Sequence, residues 1–285
     1  MAHVPEMKTR SGQPGSDNFP RPDRWRDHPD SVKPTVLILG GFLTAPPMYR
    51  RFADRLRARG AAGVVVANVW TPDWLIAATR GPGAIATRSG RALIDAGRLA
   101  AEVSDGAPVL VVGHSAGGLI ARILTATEPL PGRSFGAAGR IGAIVTLGTP
   151  HVMPTAEGIG KRMNTVLSEI ADEAAPGAFH SPRIGYVSVA SRAIRGDPGG
   201  TGRERVAYLL YRSVVGRAAV PGIEGDGLVP VVSATLAGAR HILLGDAIHG
   251  PGAGAPWYGA DGPMDGWWSA ALSTWHEALA YRAAT

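Results

Sequence analysis

The sequence has no cysteine and only three lysines, Lys8, Lys33 and Lys161. Without cysteine, disulfide bonds, thiolate catalysis and cysteine-ligated metals are all excluded. The formal net charge is +6, but nearly all of the positive charge comes from arginines scattered singly along the chain. Because a nucleic-acid-binding surface concentrates its basic residues in a patch or along one helix face, we expect no nucleic-acid partner.

Long apolar runs are also missing. No run approaches the roughly 20 residues that a transmembrane helix needs, so we expect no transmembrane segment. The N-terminus lacks the apolar core of a secretory signal, and its acidic residues argue against a transit peptide. A cytoplasmic location is therefore the expectation, and no pattern indicates an oligomeric state.

The start of the chain differs in composition from the rest. Residues 1–33 are polar, rich in Pro, Arg and Asp, and show no hydrophobic periodicity, which is typical of a disordered or loosely packed tail. Residues 34–285 are enough for one large α/β domain, and no second boundary is visible within them. A hydrophobic fraction of 45% in the whole chain provides for a substantial core.

Short apolar runs alternate with amphipathic segments along the domain. The runs are typical of strands buried in a parallel sheet, and they cover residues 35–39, 63–67, 109–112, 141–147, 186–190 and 240–244. Helical periodicity is clearest in residues 48–59 and 85–103, whereas 70–74 and 196–205 are predicted loops. This alternation predicts a doubly wound, mostly parallel sheet with helices on both faces, and it brings the loops after the strands to one edge.

A further helical pattern occupies residues 154–175. Its apolar side chains fall on one side and its charged side chains on the other, and the segment follows His151 at the predicted edge. Two interpretations stay open. The segment is either a small lid over the site or an ordinary crossover helix packed on the sheet.

A serine between glycines follows the third apolar run. The motif Gly113-His-Ser-Ala-Gly117 fits G-x-S-x-G at a strand-to-helix junction, where a sharp turn strains the serine backbone. The residues two positions away must be nearly free of side chain, and Gly113 and Gly117 meet this need. The following helix directs free N–H groups toward a group bonded to Ser115. Ser115 is therefore the predicted nucleophile.

A serine hydroxyl needs a base, and the base needs an orienting carboxylate. In this arrangement the chain order is serine, acid, histidine, and His249 lies in a loop after the last strand. Among the other downstream histidines, His151 lies at the correct edge but precedes every plausible acid. Asp226, between two glycines, is the predicted acid. Asp246 is its rival, although a position three residues before His249 suits a residue that braces that loop.

Backbone donors are needed for the tetrahedral intermediate. The predicted donors are the N–H of Ala116, directly after the serine, and the N–H of Phe42, in the glycine-rich loop after the first strand. Large apolar residues near the same edge are candidates for a substrate pocket, although such residues more often belong to a core: Trp70, Trp74, Met153 and Trp257.

Several stretches together resemble the α/β-hydrolases of the lipase/esterase kind, specifically the PGAP1-like group with plant, cyanobacterial and bacterial members. They are Leu39-Gly-Gly-Phe42, Gly113-His-Ser-Ala-Gly-Gly118, Leu147-Gly-Thr-Pro-His151, Tyr186-Val-Ser-Val-Ala-Ser-Arg-Ala193, Gly225-Asp-Gly-Leu-Val-Pro230, His249-Gly250, Trp257-Tyr-Gly259 and Trp267-Trp268. The resemblance runs from about residue 34 to 275 and implies an α/β-hydrolase fold with Ser115, Asp226 and His249 as its triad. Gly40 is a departure, because many lipases carry histidine before the oxyanion glycine.

The expected function is hydrolysis of carboxylic esters through an acyl-enzyme, on a small-molecule or lipid-like substrate. This chemistry needs no cofactor and no metal. Two alternatives stay open. The same triad suits acyl transfer to an alcohol other than water, and a non-catalytic protein of this fold uses its pocket as a receptor. The relation to GPI-inositol deacylases concerns membrane enzymes, whereas no membrane span is expected here.

Overall fold

The structure is a computed structural model that describes residues 23–126, 137–153, 161–251 and 256–285, without the side chains of Ala78 and residues 161–165. The described residues contain these strands: β1 (Thr35–Leu39), β2 (Gly63–Val66), β3 (Val109–His114), β4 (Ile141–Leu147), β5 (Gly185–Ser191), β6 (Ile194–Gly196), β7 (Ile223–Gly225) and β8 (Arg240–Leu244). They also contain these α-helices: α1 (Arg50–Ala58), α2 (Thr71–Arg80), α3 (Gly83–Val103), α4 (Ala116–Ile123), α5 (Lys161–Ala174), α6 (Gly202–Val215), α7 (Val231–Ala234), α8 (Asp261–Asp265) and α9 (Trp268–Ala284). In this part of the chain no helix is long and apolar enough to cross a membrane.

Six of the strands form one parallel sheet in the order β2-β1-β3-β4-β5-β8. Each of the six predicted apolar runs corresponds to one strand of this sheet, and the expected α/β-hydrolase architecture is confirmed. The two remaining strands, β6 and β7, pair with each other in an antiparallel hairpin. In register, Leu39 lies opposite Gly113 and His114 opposite Leu147, so the carboxyl ends of β1, β3 and β4 are level. That level edge carries the candidate site.

Alternate side chains along the strands serve two separate cores. In β1, Val36 and Ile38 face the core beneath α1, α8 and α9, whereas Leu37 and Leu39 face the core beneath α2, α3, α4 and α5. This period of two is what an extended strand buried on both faces requires. The helices on the two faces enclose the sheet and leave the loops at its carboxyl edge to form the site.

The predicted tail is ordered in part. Residues 23–33 include a short 3-10 helix, Asp23–Asp27, and their two large apolar side chains, Trp25 and Val32, are buried in the core beneath α9. The Arg26 guanidinium donates a hydrogen bond of 2.6 Å to the Arg282 carbonyl. The expectation of a loose tail is therefore wrong for residues 23–33, because two apolar residues in a polar stretch are enough to anchor it. Residues 1–22 lie outside the described residues.

Two predicted loops contain helix starts. In residues 70–74, α2 begins at Thr71, and the Asp73 carboxylate accepts a hydrogen bond of 2.8 Å from the Trp70 N–H. In residues 196–205, β6 ends at Gly196 and α6 begins at Gly202, where Thr201 and Glu204 form a reciprocal capping box. In both places side-chain oxygens satisfy the free N–H groups of a first turn, which hydrophobic periodicity does not register.

The described part of residues 154–175 is α5, which crosses from β4 to β5 and packs on α4. Leu167 and Ala171 are fully buried in the core that also contains α4. The Arg122 guanidinium, from α4, donates to the Ala171 carbonyl at 3.2 Å and to the Ala175 carbonyl at 3.0 Å. This part of the segment fits the crossover alternative. Residues 154–160 lie outside the described residues, and a lid role stays a prediction.

Candidate active site

Ser115 lies on the turn between β3 and α4, with φ 53° and ψ −129°. This left-handed conformation is rare for a residue with a side chain and is stored strain. The turn leaves no room for a side chain at its two glycines. A Cβ at Gly113 would lie 2.5 Å from the Gly118 Cα, and one at Gly117 would collide with the Leu39 carbonyl. The glycines are thus required by close backbone approach, and they leave the Ser115 hydroxyl at the carboxyl edge of the sheet.

The structure brings Ser115, His249 and Asp226 together. The Ser115 Oγ lies 2.9 Å from His249 Nε2, and His249 Nδ1 lies 2.8 Å from Asp226 Oδ2. A carboxylate only accepts hydrogen bonds, so Nδ1 carries the proton and Nε2 is free to accept from the serine hydroxyl. The His249 N–H also donates to the Asp226 carbonyl at 3.0 Å, which ties the two loops together.

Asp226 is fully buried, and four hydrogen bonds converge on its carboxylate. Besides His249, the donors are the backbone N–H groups of Leu228 (2.9 Å) and Val229 (2.7 Å) and the hydroxyl of Tyr258 (2.9 Å). Burial acts to raise the pKa of Asp226, but the adjacent His249 and the backbone donors outweigh it, so this pKa lies below its usual value. The carboxylate therefore stays ionised in the interior.

Tyr258 was not identified as a site residue from the sequence, although it lies in the Trp257-Tyr-Gly259 stretch that carries the resemblance. It is fully buried, and burial followed by the charge of Asp226 raises its pKa well above the usual value. Its hydroxyl is therefore a neutral, permanent donor. The rival acid, Asp246, is exposed in the loop after β8.

The predicted backbone donors belong to the loop after β1 and to the first residue of α4. A Cβ at Gly41 would lie 2.8 Å from the Ser115 Cβ, so the loop after β1 runs directly against the serine. The Gly41 N–H already donates to the Tyr49 hydroxyl at 2.9 Å, which leaves the Phe42 N–H as the next donor in this loop. Ala116 is the first residue of α4, where N–H groups have no partner within the helix. The N–H groups of Phe42 and Ala116 stay the predicted oxyanion donors.

The predicted pocket residues lie in different surroundings. Trp74 and Trp257 are buried, Trp74 against the Phe42 ring (6.0 Å between centroids) and Trp257 against the rings of Phe52 and Tyr49. Met153 is buried in a cluster formed with α6. Only Trp70 of the four is well exposed, at 45%. For three of the four, the main neighbours are other core side chains, and a pocket role stays a prediction.

His114, the residue before the serine, is a second site residue that the sequence did not reveal. It is buried, with Nδ1 2.8 Å from the Tyr49 hydroxyl and Nε2 2.7 Å from the His249 carbonyl oxygen. Burial, and then the proximity of His249, lowers the pKa of His114 to about 3. The imidazole is therefore neutral at ordinary pH.

His151, at the same edge, belongs to a different cluster. It is buried, its Nε2 lies 3.0 Å from the Thr146 hydroxyl, and the Arg122 guanidinium approaches its Nδ1 at 3.3 Å. Burial, and then the Arg122 charge, lowers the pKa of His151 well below its usual value. Neither ring nitrogen is directed at Ser115, in agreement with the choice of His249.

Residues 100–191 match the family model of the PGAP1-like alpha/beta domain. A search of curated proteins found no significant match. Among solved structures, the mature lipase BlEst2 of Bacillus licheniformis is 17% identical, with a TM-score of 0.51, and the alignment covers 78% of this chain and 87% of that chain. Propionate-bound esterase 2 of Thermogutta terrifontis is 13% identical, with a TM-score of 0.45 and coverage of 89% and 85%.

The family match spans the strand before the serine, the serine turn and the next two strands of the sheet. The structural match covers most of both chains and identifies the fold. The chain therefore has the α/β-hydrolase fold, and its residues 100–191 are similar to the PGAP1-like alpha/beta domain.

Proposed function

We propose that this protein is a serine hydrolase that cleaves carboxylic esters, with Ser115 as nucleophile, His249 as base and Asp226 as orienting acid. The observation that carries the proposal is the continuous hydrogen-bonded chain from the strained serine to the buried carboxylate, with distances of 2.9 Å and 2.8 Å. A strained backbone persists where the surrounding structure enforces it, and such strain is concentrated at functional sites. The fold match to a protein named as a lipase agrees with this proposal.

In the first half of the reaction, the Ser115 oxygen attacks the ester carbonyl carbon while its proton passes to His249 Nε2. The carbonyl oxygen becomes an oxyanion and accepts hydrogen bonds from the Phe42 and Ala116 N–H groups. When the intermediate collapses, the alcohol leaves with the proton from Nε2. An acyl-enzyme ester on Ser115 remains.

In the second half, a water molecule gives a proton to His249 Nε2 and attacks the acyl carbon. The second intermediate collapses, the proton returns to the serine oxygen, and the carboxylic acid leaves. The net change is ester plus water to acid plus alcohol. Throughout, the Asp226 carboxylate holds the Nδ1 proton and stabilises the positive charge that His249 carries in each half.

The substrate is proposed to carry an apolar group. Exposed large apolar side chains flank the loop after β1 and the start of α2, namely Leu43, Met48, Trp70, Leu75 and Ile76. The Thr71 hydroxyl donates to the Leu43 carbonyl at 3.1 Å, so these two segments are adjacent beside Phe42. Each methylene that these side chains remove from water contributes about 0.8 kcal/mol.

The test is hydrolysis of a nitrophenyl ester series from acetate to palmitate, together with covalent labelling by a fluorophosphonate. The parent protein is expected to hydrolyse the esters and to label once, at Ser115. Ser115→Ala is expected to lose both properties. A parent protein that does not label would contradict the proposal and favour a receptor role. Products esterified to an added alcohol, in place of free acid, would indicate acyl transfer.

A further inference from the structure

We infer that Tyr49 and His114 are positioning residues that lock the oxyanion loop and the His249 loop together across Ser115. The inference rests on the proposed function and extends it to two side chains that do not touch the substrate. It comes from an unbroken set of buried hydrogen bonds that joins Gly41, beside the serine, to the backbone of His249 itself.

The direction of each bond follows from its chemistry. A carbonyl oxygen only accepts, so His114 Nε2 carries the proton and donates to the His249 carbonyl at 2.7 Å. His114 Nδ1 then has no proton and accepts from the Tyr49 hydroxyl at 2.8 Å. The Tyr49 oxygen in turn accepts from the Gly41 N–H at 2.9 Å. The three hydrogen bonds therefore all run in the same direction, from the Gly41 N–H to the His249 carbonyl. We call this set of bonds the Tyr49–His114 brace.

Thr44 supports the same loop with a further hydrogen bond. The Thr44 hydroxyl donates to the Gly41 carbonyl at 2.7 Å, so both polar groups of Gly41 are held. The Thr44 oxygen also lies 3.2 Å from the Tyr49 oxygen, but the single Tyr49 proton is directed at His114 Nδ1 and the Thr44 proton at Gly41, so no proton bridges this pair. Tyr49, Thr44 and His114 are all buried, at 1%, 9% and 2% exposure. The Trp257 ring packs against both Tyr49 and His114. Water therefore competes little for these bonds.

The glycine at position 40 is explained by the brace. A Cβ there would lie 2.7 Å from the Thr44 hydroxyl and 2.8 Å from the Tyr49 ring. Position 40 is where this chain departs from the histidine of many lipases. The space beside it is filled by Tyr49, which reaches the loop from the turn before α1.

The brace stays neutral across ordinary pH. Burial raises the pKa of Tyr49 to about 12 and lowers that of His114 to about 3. The charged groups near His114 are His249, when protonated, and Asp226. Because the brace carries no charge, it does not compete with Asp226 for the imidazolium that forms during the reaction. It fixes positions only.

The brace has a defined consequence for the reaction. By occupying the Gly41 N–H, Tyr49 holds the backbone whose next N–H, that of Phe42, is the proposed oxyanion donor. By holding the His249 carbonyl, His114 fixes the loop that presents Nε2 to Ser115. Loss of the brace should therefore lower kcat with little change in KM, because both groups act in the transition state.

The test compares Tyr49→Phe with a matched control, Tyr208→Phe, whose hydroxyl donates to the Ala219 carbonyl at 3.3 Å in the α6 region. Active sites are titrated with fluorophosphonate, and kcat is expressed per titrated site. Tyr49→Phe is expected to lose about tenfold to a hundredfold in kcat per site, less than or comparable with removal of an oxyanion donor. The control is expected to stay within about twofold of the parent. A structural role alone would reduce the number of active sites and leave kcat per site unchanged, and that result would overturn the inference.

His114 supplies the second arm. His114→Gln can still donate to the His249 carbonyl, so it is expected to retain more kcat per site than His114→Leu. Because Tyr49 and His114 act through one chain, the double variant Tyr49→Phe/His114→Leu should lose little more than the worse single variant. Fully additive losses, or equal activity of the Gln and Leu variants, would contradict the brace.

A readout without turnover separates this inference from the proposed function. Nitrogen NMR of the parent should show His114 protonated at Nε2 and unprotonated at Nδ1 down to about pH 4, with the Nδ1 shift changed in Tyr49→Phe. The opposite tautomer would overturn the brace even in an active enzyme. Conversely, a parent protein that neither hydrolyses esters nor labels would refute the hydrolase proposal while the NMR result still decides the brace.

Discussion

Two buried polar clusters lie side by side at the carboxyl edge of the sheet, and they differ in accessibility and strain. The triad cluster contains a residue at positive φ, Ser115, and a histidine, His249, whose side chain is 15% exposed. The second cluster joins α4, α5 and the loop after β4 through Arg122 and His151, which are 0% and 2% exposed. Both contain a histidine and a carboxylate held by hydrogen bonds within the cluster. Only the first presents a hydroxyl and a base to an incoming ligand.

The second cluster is saturated by its own chain. The Arg122 guanidinium donates to the carbonyls of Ala171 and Ala175 and to the Asp172 carboxylate, and the Ser168 hydroxyl donates to the His151 carbonyl. These groups close the end of α5, whose last carbonyls would otherwise be buried without donors. Hydrogen bonding is common to both clusters and does not distinguish them. The triad cluster differs because it leaves a hydroxyl and a ring nitrogen accessible to a ligand.

Among the variants with a matched control, the two acids should differ most. Asp226→Asn should lower kcat by about four orders of magnitude, because the amide favours the wrong His249 tautomer, as in the chymotrypsin-type example from which this magnitude is taken. Asp246→Asn, the matched control in an exposed loop, should change kcat by less than about twofold. Steady-state kinetics on one nitrophenyl ester measures both. The reverse pattern would assign the acid to Asp246.

The second cluster should respond in stability and not in catalysis. Arg122→Met removes a buried charge that several carbonyls depend on and should lower the free energy of unfolding by about 3 kcal/mol or more. Urea denaturation measures the loss, and kcat per titrated site should stay near the parent value. If kcat per site fell in proportion to the free energy of unfolding, the two clusters would be functionally coupled. The distinction between a catalytic and a structural cluster would then be wrong.

Tyr258→Phe removes one of the four donors to the Asp226 carboxylate. A hydrogen bond to a charged group contributes about 1.5 to 3 kcal/mol, so kcat should fall by roughly tenfold to a hundredfold at neutral pH. The lost donor should also raise the pKa of Asp226, so in a kcat–pH profile the loss relative to the parent should grow as pH is lowered. An unchanged profile would mean that Tyr258 only fills space.

The two buried histidines give an effect that depends on pH. The pKa of His114 is lowered from 6.5 to about 3 in the folded state, and that of His151 is also lowered well below 6.5. At pH values between the folded-state and unfolded-state pKa of each histidine, the unfolded chain binds a proton that the folded chain does not, so stability is present above this window and lost as pH falls through it. For His114 the window runs from about pH 6.5 down to about pH 3. Each site contributes about 1.4 kcal/mol per pH unit.

His114→Gln and His151→Gln should each make this loss of stability shallower by about one proton, measured by urea unfolding at pH 6.5, 5.5 and 4.5. The two variants should differ in catalysis, because only His114 lies in the brace. An undiminished slope in either variant would show that its histidine is protonated in the folded protein.

The elements that could be predicted from the sequence are those with local causes. Most strands of the parallel sheet were visible as apolar runs, whereas β8 begins with the polar pair Arg240-His241. The serine turn was visible from the glycines two positions on either side of Ser115. The order of serine, acid and histidine then selected Asp226 and His249, whose proximity the structure reproduces.

What was missed depends on contacts between distant residues. Tyr49 is 65 positions from His114 and Tyr258 is 32 from Asp226, and no spacing rule relates such pairs. The burial of Trp25 has the same kind of cause, because one aromatic ring anchored in the core orders a polar stretch. The start of α2 differs, since the Asp73 carboxylate caps the nearby Trp70 N–H, a local signal that hydrophobic periodicity does not register. A sequence pattern records which face of an element is apolar. The pattern does not show which polar side chain from a distant segment will form a hydrogen bond with that element.

In the proposed reaction, the Ser115 hydroxyl, activated by His249, is the reacting group. The most direct measurement is the rate of nitrophenyl ester hydrolysis by Ser115→Ala and the parent, with fluorophosphonate labelling mapped by mass spectrometry. Loss of a triad serine lowers kcat by about a million-fold in a comparable enzyme. We predict a loss of that order, no labelling of the variant, and a melting temperature within a few degrees of the parent value. Activity of Ser115→Ala within tenfold of the parent, or a label on another residue, would contradict it.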